Sequence, residues 1–219
     1  MGMQLRRWNS LPDVMKTKEV RKYYNIIKRR QVSLKLKRVF DVVVASIMLI
    51  FLAIPMLVIA VCIKLDSRGP VFFRQERVTQ YGRIFKIYKF RTMVVDAPKL
   101  GASVTVDNDS RITRVGRVLR KIRADEFPQL FNILKGDMSI VGPRPALPRE
   151  VEQYSAYQAQ RLFITPGLTC YWQIQPNRND ISFDEWVEMD IQYIRERSFL
   201  VDWKIIFKTI IAVLTKQGR

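Results

Sequence analysis

The run Val42-Val43-Val44-Ala45-Ser46-Ile47-Met48-Leu49-Ile50-Phe51-Leu52-Ala53-Ile54-Pro55-Met56-Leu57-Val58-Ile59-Ala60-Val61-Cys62-Ile63 holds 22 residues without a charge. As one straight helix it would be about 33 Å long, enough for the hydrocarbon core of a bilayer. Its length and its distance from the N-terminus argue against a secretory leader. Pro55 interrupts it, with 13 residues before and 8 after. A proline there removes a backbone hydrogen bond and kinks or breaks the helix.

The flanks bear on how such a helix meets a membrane. Lys22, Lys28, Arg29, Arg30, Lys35, Lys37 and Arg38 precede the run, and Lys64, Arg68, Arg74, Arg77 and Arg83 follow it. Basic flanks prefer the cytoplasmic side, here at both ends. A helix bent at Pro55 that enters and leaves by one leaflet satisfies both. An ordinary span with a tolerated kink is the alternative. The reading adopted is a basic extension over 1–36, a re-entrant membrane helix over 37–66 and a cytosolic domain over 67–219. The fold class expected is mainly α with a small β element: a re-entrant membrane helix hairpin plus a compact cytosolic domain with amphipathic interfacial helices.

Composition bounds the chemistry. The chain has 219 residues, 48% of them hydrophobic, and a net charge of +18 with no histidine. Residues 1–38 alone carry 12 Lys and Arg against Asp13 and Glu19. A basic patch of that size points to a polyanionic partner, either nucleic acid or an anionic membrane surface. Without histidine, Ser–His and Cys–His nucleophile pairs and His-based zinc sites are excluded. Acid and base work falls to carboxylates, Lys or Tyr. Cys62 and Cys170 are too few for a disulfide framework and read as small apolar residues.

Short strands are expected at Val71–Arg74 and Arg83–Arg91, joined by a turn at Gln80-Tyr81-Gly82. Leu100 to Ser110 is polar and aperiodic, so a loop is expected there. Helices are expected at Arg111–Ile122, Asp125–Leu134, Pro148–Phe163, Phe183–Arg197 and Val201–Lys216. Trp203, Phe207 and Ile211 recur at i, i+4, i+8, which makes the last one amphipathic, against either the core or a membrane interface.

Three segments could carry chemistry. In Asp125-Glu126-Phe127-Pro128-Gln129-Leu130-Phe131-Asn132, Pro128 fits only a first helical turn, so two adjacent carboxylates stand at a helix start. On position alone Asp125 reads as an N-cap and Glu126 as a first-turn acid. Arg120 and Arg123 before them and Arg144 after them change that balance. A carboxylate in such company is expected to stay ionised, suiting a nucleophile or a Mg²⁺ ligand. In Lys89-Phe90-Arg91, two cations about 7 Å apart on one strand face could clamp a diphosphate, or simply be solvated. In Gly142-Pro143-Arg144-Pro145, flanking prolines stiffen the backbone that presents the Arg144 guanidinium.

With Lys37-Arg38-Val39-Phe40-Asp41, Pro55, Phe85 to Met93, Arg120, Asp125-Glu126 with Gln129 to Asn132, Gly136 to Pro145 and Pro166-Gly167-Leu168-Thr169, the chain resembles the monotopic phosphoglycosyl transferases. These bacterial sugar transferases begin lipid-linked glycan assembly. The resemblance covers roughly residues 35–217. It implies an active site at the cytoplasmic face of the inner membrane and Asp125 as nucleophile. The donor would be a UDP-sugar that releases UMP, and the acceptor a polyprenyl phosphate. Mg²⁺ is the implied cofactor, with Asp125 and Glu126 as its ligands. Lys89, Arg91 and Arg144 would contact phosphate, and Arg120 would orient the carboxylate pair. Two segments depart from the family pattern. The basic extension is longer than the family core needs and is assigned to anionic lipid. In Thr169-Cys170-Tyr171-Trp172-Gln173-Ile174-Gln175-Pro176-Asn177-Arg178-Asn179, Cys170 stands where the family has Gly; if this region contacts the nucleoside or sugar, donor specificity does not transfer. The competing reading is a membrane-anchored nucleic-acid-binding or scaffold protein. It needs aromatic residues among the basic ones, and Trp8, Tyr23 and Tyr24 are a thin supply. The preferred reading has no nucleic-acid partner.

Overall fold

The computed structural model describes residues 5–97, 109–176 and 180–215. The expected loop at 100–110 lies almost wholly outside them, as do Asn177, Arg178, Asn179 and the C-terminal end of the last expected helix. The described chain is mostly helical with two small sheets.

Helix α1 (Lys18–Arg29) is capped by Thr17, whose hydroxyl accepts from the Val20 amide, and buries Val20, Tyr23, Tyr24 and Ile27. Arg30 breaks the helical geometry, and its guanidinium donates to the carbonyls of Arg195 and Arg197. Leu11, Met15, Val20, Tyr24 and Ile27 join Phe163, Tyr193 and Ile205 in the largest hydrophobic core. The basic N-terminal stretch is thus packed into the body of the protein along one side, while its lysines and arginines other than Arg30 are exposed.

Helix α2 (Gln31–Asp66) is one helix of 36 residues with Pro55 inside it. A kink or a break is expected at Pro55, and the helix does not end there. Proline removes a single ladder bond, and the apolar residues on either side continue the helix. Leu34, Lys37, Asp41 and Ala45 are buried in its first half, and Met56 and Ile63 in its second. The opposite face is apolar and bare: Phe51 and Ile54 are 78% and 76% exposed. An apolar stripe of that size calls for an apolar surrounding phase.

Both ends of α2 are tied to the same body. Arg38 donates to the carbonyls of Ile133 and Leu134 at 2.6 and 2.9 Å. Asp41 accepts from the Ile140 amide, and Asp66 from the Val115 amide at 2.9 Å. Beyond the helix, Arg91 gathers the carbonyls of Ser67, Arg68 and Pro70.

Strands β1 (Phe72–Val78) and β2 (Ile84–Phe90) form an antiparallel hairpin, with Arg74 opposite Tyr88. Helices α3 (Arg114–Lys121) and α4 (Gln129–Lys135) follow, and then β3 (Ser139–Val141). The stretch expected as one helix at Pro148–Phe163 is three pieces: α5 (Pro148–Val151), α6 (Ala156–Ala159) and a 3-10 turn at Gln160–Phe163. Ser155 and Gln158 exchange side-chain and backbone hydrogen bonds, a capping box that restarts the helix. This crossover returns to β4 (Gly167–Thr169), parallel to β3. Gly142 and Gly167 sit back to back beside that pair; a Cβ on Gly167 would collide with the Gly142 amide nitrogen.

Helices α7 (Phe183–Glu196) and α8 (Phe199–Leu214) complete the fold. Of α8, only Asp202, Ile205 and Ala212 are buried, while Leu200, Phe207 and Leu214 face outward. Phe199 and Trp203 meet Phe40 of α2 edge to face, so the two bare apolar faces adjoin.

A buried charge cluster fixes this junction. Lys37 Nζ lies 3.2 Å from Asp202 Oδ2 and 3.4 Å from Asp41 Oδ1, with all three side chains sealed from solvent. The Tyr193 hydroxyl donates to Asp202 Oδ1 at 2.6 Å. Removing one partner leaves the others buried and uncompensated. Lys37→Ala is expected to destabilise the protein by about 3–5 kcal/mol, read as a large drop in thermal midpoint in detergent. A midpoint within two degrees or so of the parent would show that the cluster carries no such strain.

Candidate active site

Helix α3 is set against Thr92. The Thr113 amide donates to the Thr92 carbonyl, and a Cβ on Gly116 would collide with that same carbonyl oxygen. Arg120, one turn after Gly116, reaches the Thr92 hydroxyl with Nε at 2.9 Å. After α3 the chain reverses through Arg123, which sits in the left-handed region at φ 56°. A non-glycine residue there costs roughly 1–2 kcal/mol, and the neighbouring packing must hold it. Ala124 supplies that packing: it is buried with Met56 and Ile63 of α2, Phe90 and Leu119.

Ala124-Asp125-Glu126 form a 3-10 turn, and α4 begins only at Gln129. The helix therefore starts later than expected, and Pro128 occupies the N-cap position with no side-chain cap bond. Asp125 is not a helix cap; its carboxylate makes no hydrogen bond or ion pair with another described residue. Burial is the main influence on it and raises its pKa to about 6, with Glu126 adding to the shift and Lys89 and Arg120 opposing it. Burial outweighs the surrounding cations, yet the group is still mostly ionised at pH 7.

Glu126 is held differently. Lys89 Nζ, reaching from β2, donates to Glu126 Oε1 at 2.6 Å. Burial pushes this carboxyl up, but the charge and hydrogen bond of Lys89, then Arg144 and Arg123, outweigh it and hold the pKa below the ordinary value. Two adjacent carboxylates thus have opposite shifts, because only one has a cation in contact. Behind them Asn132 fastens α4 to the free edge of β2. It accepts from the Tyr88 amide and donates to the Lys86 carbonyl, replacing a missing strand.

Lys89, Arg120, Asp125, Glu126 and Arg144 are brought together. Arg91 is not. The strand ends at Phe90, so Lys89 and Arg91 share no clamp, and all three guanidinium nitrogens of Arg91 are occupied by backbone carbonyls. Arg91 tethers the exit of α2. The residues missed in the sequence are Trp172 and Trp186, which stack 5.4 Å apart beneath Arg144. Trp172 lies in the segment already marked as departing from the family pattern. Trp186 carried no signal separating it from an ordinary helix residue. Cys170 is buried, its thiol pushed up to about 12 by that burial, as befits an inert apolar residue.

Among the described residues no group of three or more carboxylate, cysteine or histidine ligands gathers. Asp125 and Glu126 are two hard oxygen donors on adjacent residues. That set fits magnesium, which is commonly held by one or two carboxylates together with substrate phosphates.

The profile of the bacterial sugar transferase family matches residues 32–216. The chain belongs to this family. It is 40% identical to the exopolysaccharide production protein ExoY of Rhizobium meliloti, over 83% of this chain and 87% of that protein. It is 42% identical to the galactosyl transferase CpsE of Streptococcus agalactiae, over 83% of this chain and 43% of that one. It is also 42% identical to the UDP-N-acetylgalactosamine-undecaprenyl-phosphate N-acetylgalactosaminephosphotransferase of Aeromonas hydrophila, over 84% of this chain and 44% of that protein. The chain thus spans less than half the length of the latter two. The match begins after α1, so that helix lies outside the region the family defines.

The sign of the Asp125 shift predicts a pH-linked change in stability. Its folded pKa of about 6 stands above the ordinary 3.8, so folding favours the protonated form. Any destabilisation from this carboxylate is fully present above pH 6 and is lost as pH falls toward 4. Asp125→Asn is expected to raise the thermal midpoint at pH 7.5, with the gain shrinking at pH 5. An equal midpoint difference at both pH values would remove the burial argument.

Proposed function

We propose that the chain transfers a phosphosugar from a UDP-sugar to a polyprenyl phosphate such as undecaprenyl phosphate, releasing UMP. The observation that carries this reading is the pairing of an uncommitted, mostly ionised Asp125 with a neighbouring Glu126 already neutralised by Lys89. One carboxylate is left to attack while the cations around it receive phosphate. Relatives named as sugar phosphotransferases acting on undecaprenyl phosphate support the same substrate classes.

In the first half, an Asp125 carboxylate oxygen attacks the phosphorus that bears the sugar. The bond from that phosphorus to the UMP oxygen breaks, and UMP leaves with the electron pair. The phosphosugar stays on Asp125 as an acyl phosphate. In the second half, an oxygen of the polyprenyl phosphate attacks the same phosphorus. The acyl-phosphate bond breaks and the carboxylate is restored, giving polyprenyl-diphosphate-sugar. Two displacements at one carboxylate let a soluble donor and a lipid acceptor use the site in turn. Arg144 and Lys89 counter charge on the transferring phosphoryl, and Arg120 adds positive charge near Asp125. Asp125 and Glu126 would hold magnesium, which neutralises diphosphate charge when bound.

The two anchored ends of α2 support a membrane arrangement of the same kind. Its ends are tied to one body, and its bare apolar face adjoins that of α8. This supports a helix that enters the cytoplasmic leaflet of the inner membrane, bends at Pro55 and returns. The active site then lies at the lipid surface, within reach of a membrane-bound phosphate. Such a reaction is the first membrane step of assembling a glycan, as in exopolysaccharide or capsule synthesis.

Protein extracted from membranes and given Mg²⁺, undecaprenyl phosphate and a panel of UDP-sugars is expected to release UMP with one or a few donors. Asp125→Asn is expected to lower that release at least ~1000-fold. Full turnover by this variant would unseat Asp125 as nucleophile. For the membrane arrangement, Ser10→Cys in intact cells is expected to resist a membrane-impermeant thiol reagent applied from outside, and efficient labelling would mean a full span.

A further inference from the structure

Arg144 differs from the other guanidinium groups nearby in the way it is held. Arg77 donates to Gln75 and to the Pro145 carbonyl, and Arg161 pairs with Asp190 at 2.6 Å. Arg144 makes no hydrogen bond or ion pair among the described residues. Its guanidinium carbon lies 4.8 Å from the centre of the Trp172 ring and 5.8 Å from that of Trp186. The two indoles stack at 28°, and Arg161 lies 4.7 Å from the Trp186 ring centre, itself anchored by buried Asp190. Arg144 and the two ring centres thus form a triangle, with Arg161 against Trp186 and founded on a buried carboxylate.

Ring stacking fixes the position of a guanidinium through its face and leaves its N–H edges unoccupied. A hydrogen-bonded mount would hold it equally well, but would use the donors that a phosphate needs. The backbone of Arg144 is fixed independently. Arg77 holds the Pro145 carbonyl, the Val78 amide holds the Ala146 carbonyl, and a Cβ on Gly142 would collide with the Thr165 carbonyl oxygen. Only the long side chain needs a mount, and the indoles supply it.

We propose that Trp172 and Trp186 are positioning residues that hold Arg144 by its face, so that its full set of N–H donors meets the donor diphosphate. This rests on the reading of Arg144 as a phosphate ligand, and it adds to that reading a specific mount drawn from the 3-10 turn at Trp172–Ile174 and from α7. Neither indole need touch the substrate.

The test is a double-mutant cycle on UMP release with KM for the UDP-sugar and kcat measured separately. Trp172→Ala is expected to raise the donor KM about tenfold while kcat changes much less, and Trp172→Phe, which keeps a ring face, to recover most of the loss. In an Arg144→Ala background the same Trp172→Ala change is expected to add almost nothing. Trp172→Leu keeps bulk without a ring face and serves the same comparison if the alanine variant fails to fold. An unchanged KM in Trp172→Ala, alongside a raised KM in Arg144→Ala, would overturn the mount while leaving the phosphate role of Arg144 standing. A Trp172 effect of equal size with and without Arg144 would also overturn it, because the indole would then act by itself. An unchanged KM in Arg144→Ala would remove the phosphate reading first, and the mount with it.

Discussion

An ammonium group sealed between two carboxylates sets the register of the long helix against the rest of the molecule. Lys37 and Asp41 belong to α2, Asp202 to α8, and the hydroxyl on Asp202 comes from Tyr193 of α7. Taking such charges out of water is expensive, so the cluster adds little net stability compared with a well-packed apolar alternative. It does add specificity. A slip of α2 by one turn would leave an unpaired charge in the interior, whereas an all-apolar interface would tolerate many slips. Arg38 on the α4 carbonyls and Asp66 on the Val115 amide then act at positions already fixed.

Much of this was legible in the chain. The uncharged run, the hairpin around Tyr81, and the helices at α3, α4, α7 and α8 follow from periodicity and turn chemistry, which are local. The grouping of Asp125, Glu126, Lys89, Arg120 and Arg144 was expected from carboxylates and cations close in sequence together with the family resemblance. The errors share a cause: each concerned what a side chain meets across space. Arg91 sits two residues beyond Lys89, and pattern alone paired them, but strand β2 stops between the two. Asp125 had a helix-cap position in the sequence, yet the chain spends those residues in a 3-10 turn because Arg123 reverses it first. Nothing short of tertiary packing could disclose that Trp186 lies under an arginine from another element.

The basic N-terminal stretch shows how partners inside the fold change the meaning of composition. Trp8, Tyr23 and Tyr24 were the aromatic residues that a nucleic-acid surface would require. Trp8 instead packs edge to face on Tyr24 and carries Arg21 on its ring, while Tyr23 and Tyr24 are buried. Their faces are occupied by the protein itself. What is left outside on α1 is charge without stacking surface, a poor platform for bases and a reasonable one for anionic headgroups.

The small core around Ala124 couples two parts of the molecule that sequence keeps far apart. Met56 and Ile63 lie just past the proline of the apolar helix, and Ala124 directly precedes Asp125. The Asp125 carboxylate is therefore carried at a fixed distance from the bare stripe of Ile50, Phe51 and Ile54. Helix and carboxylate behave as a ruler and its pointer: the distance between the apolar stripe and the carboxylate is written into protein packing, and it travels with the molecule into whatever phase receives it.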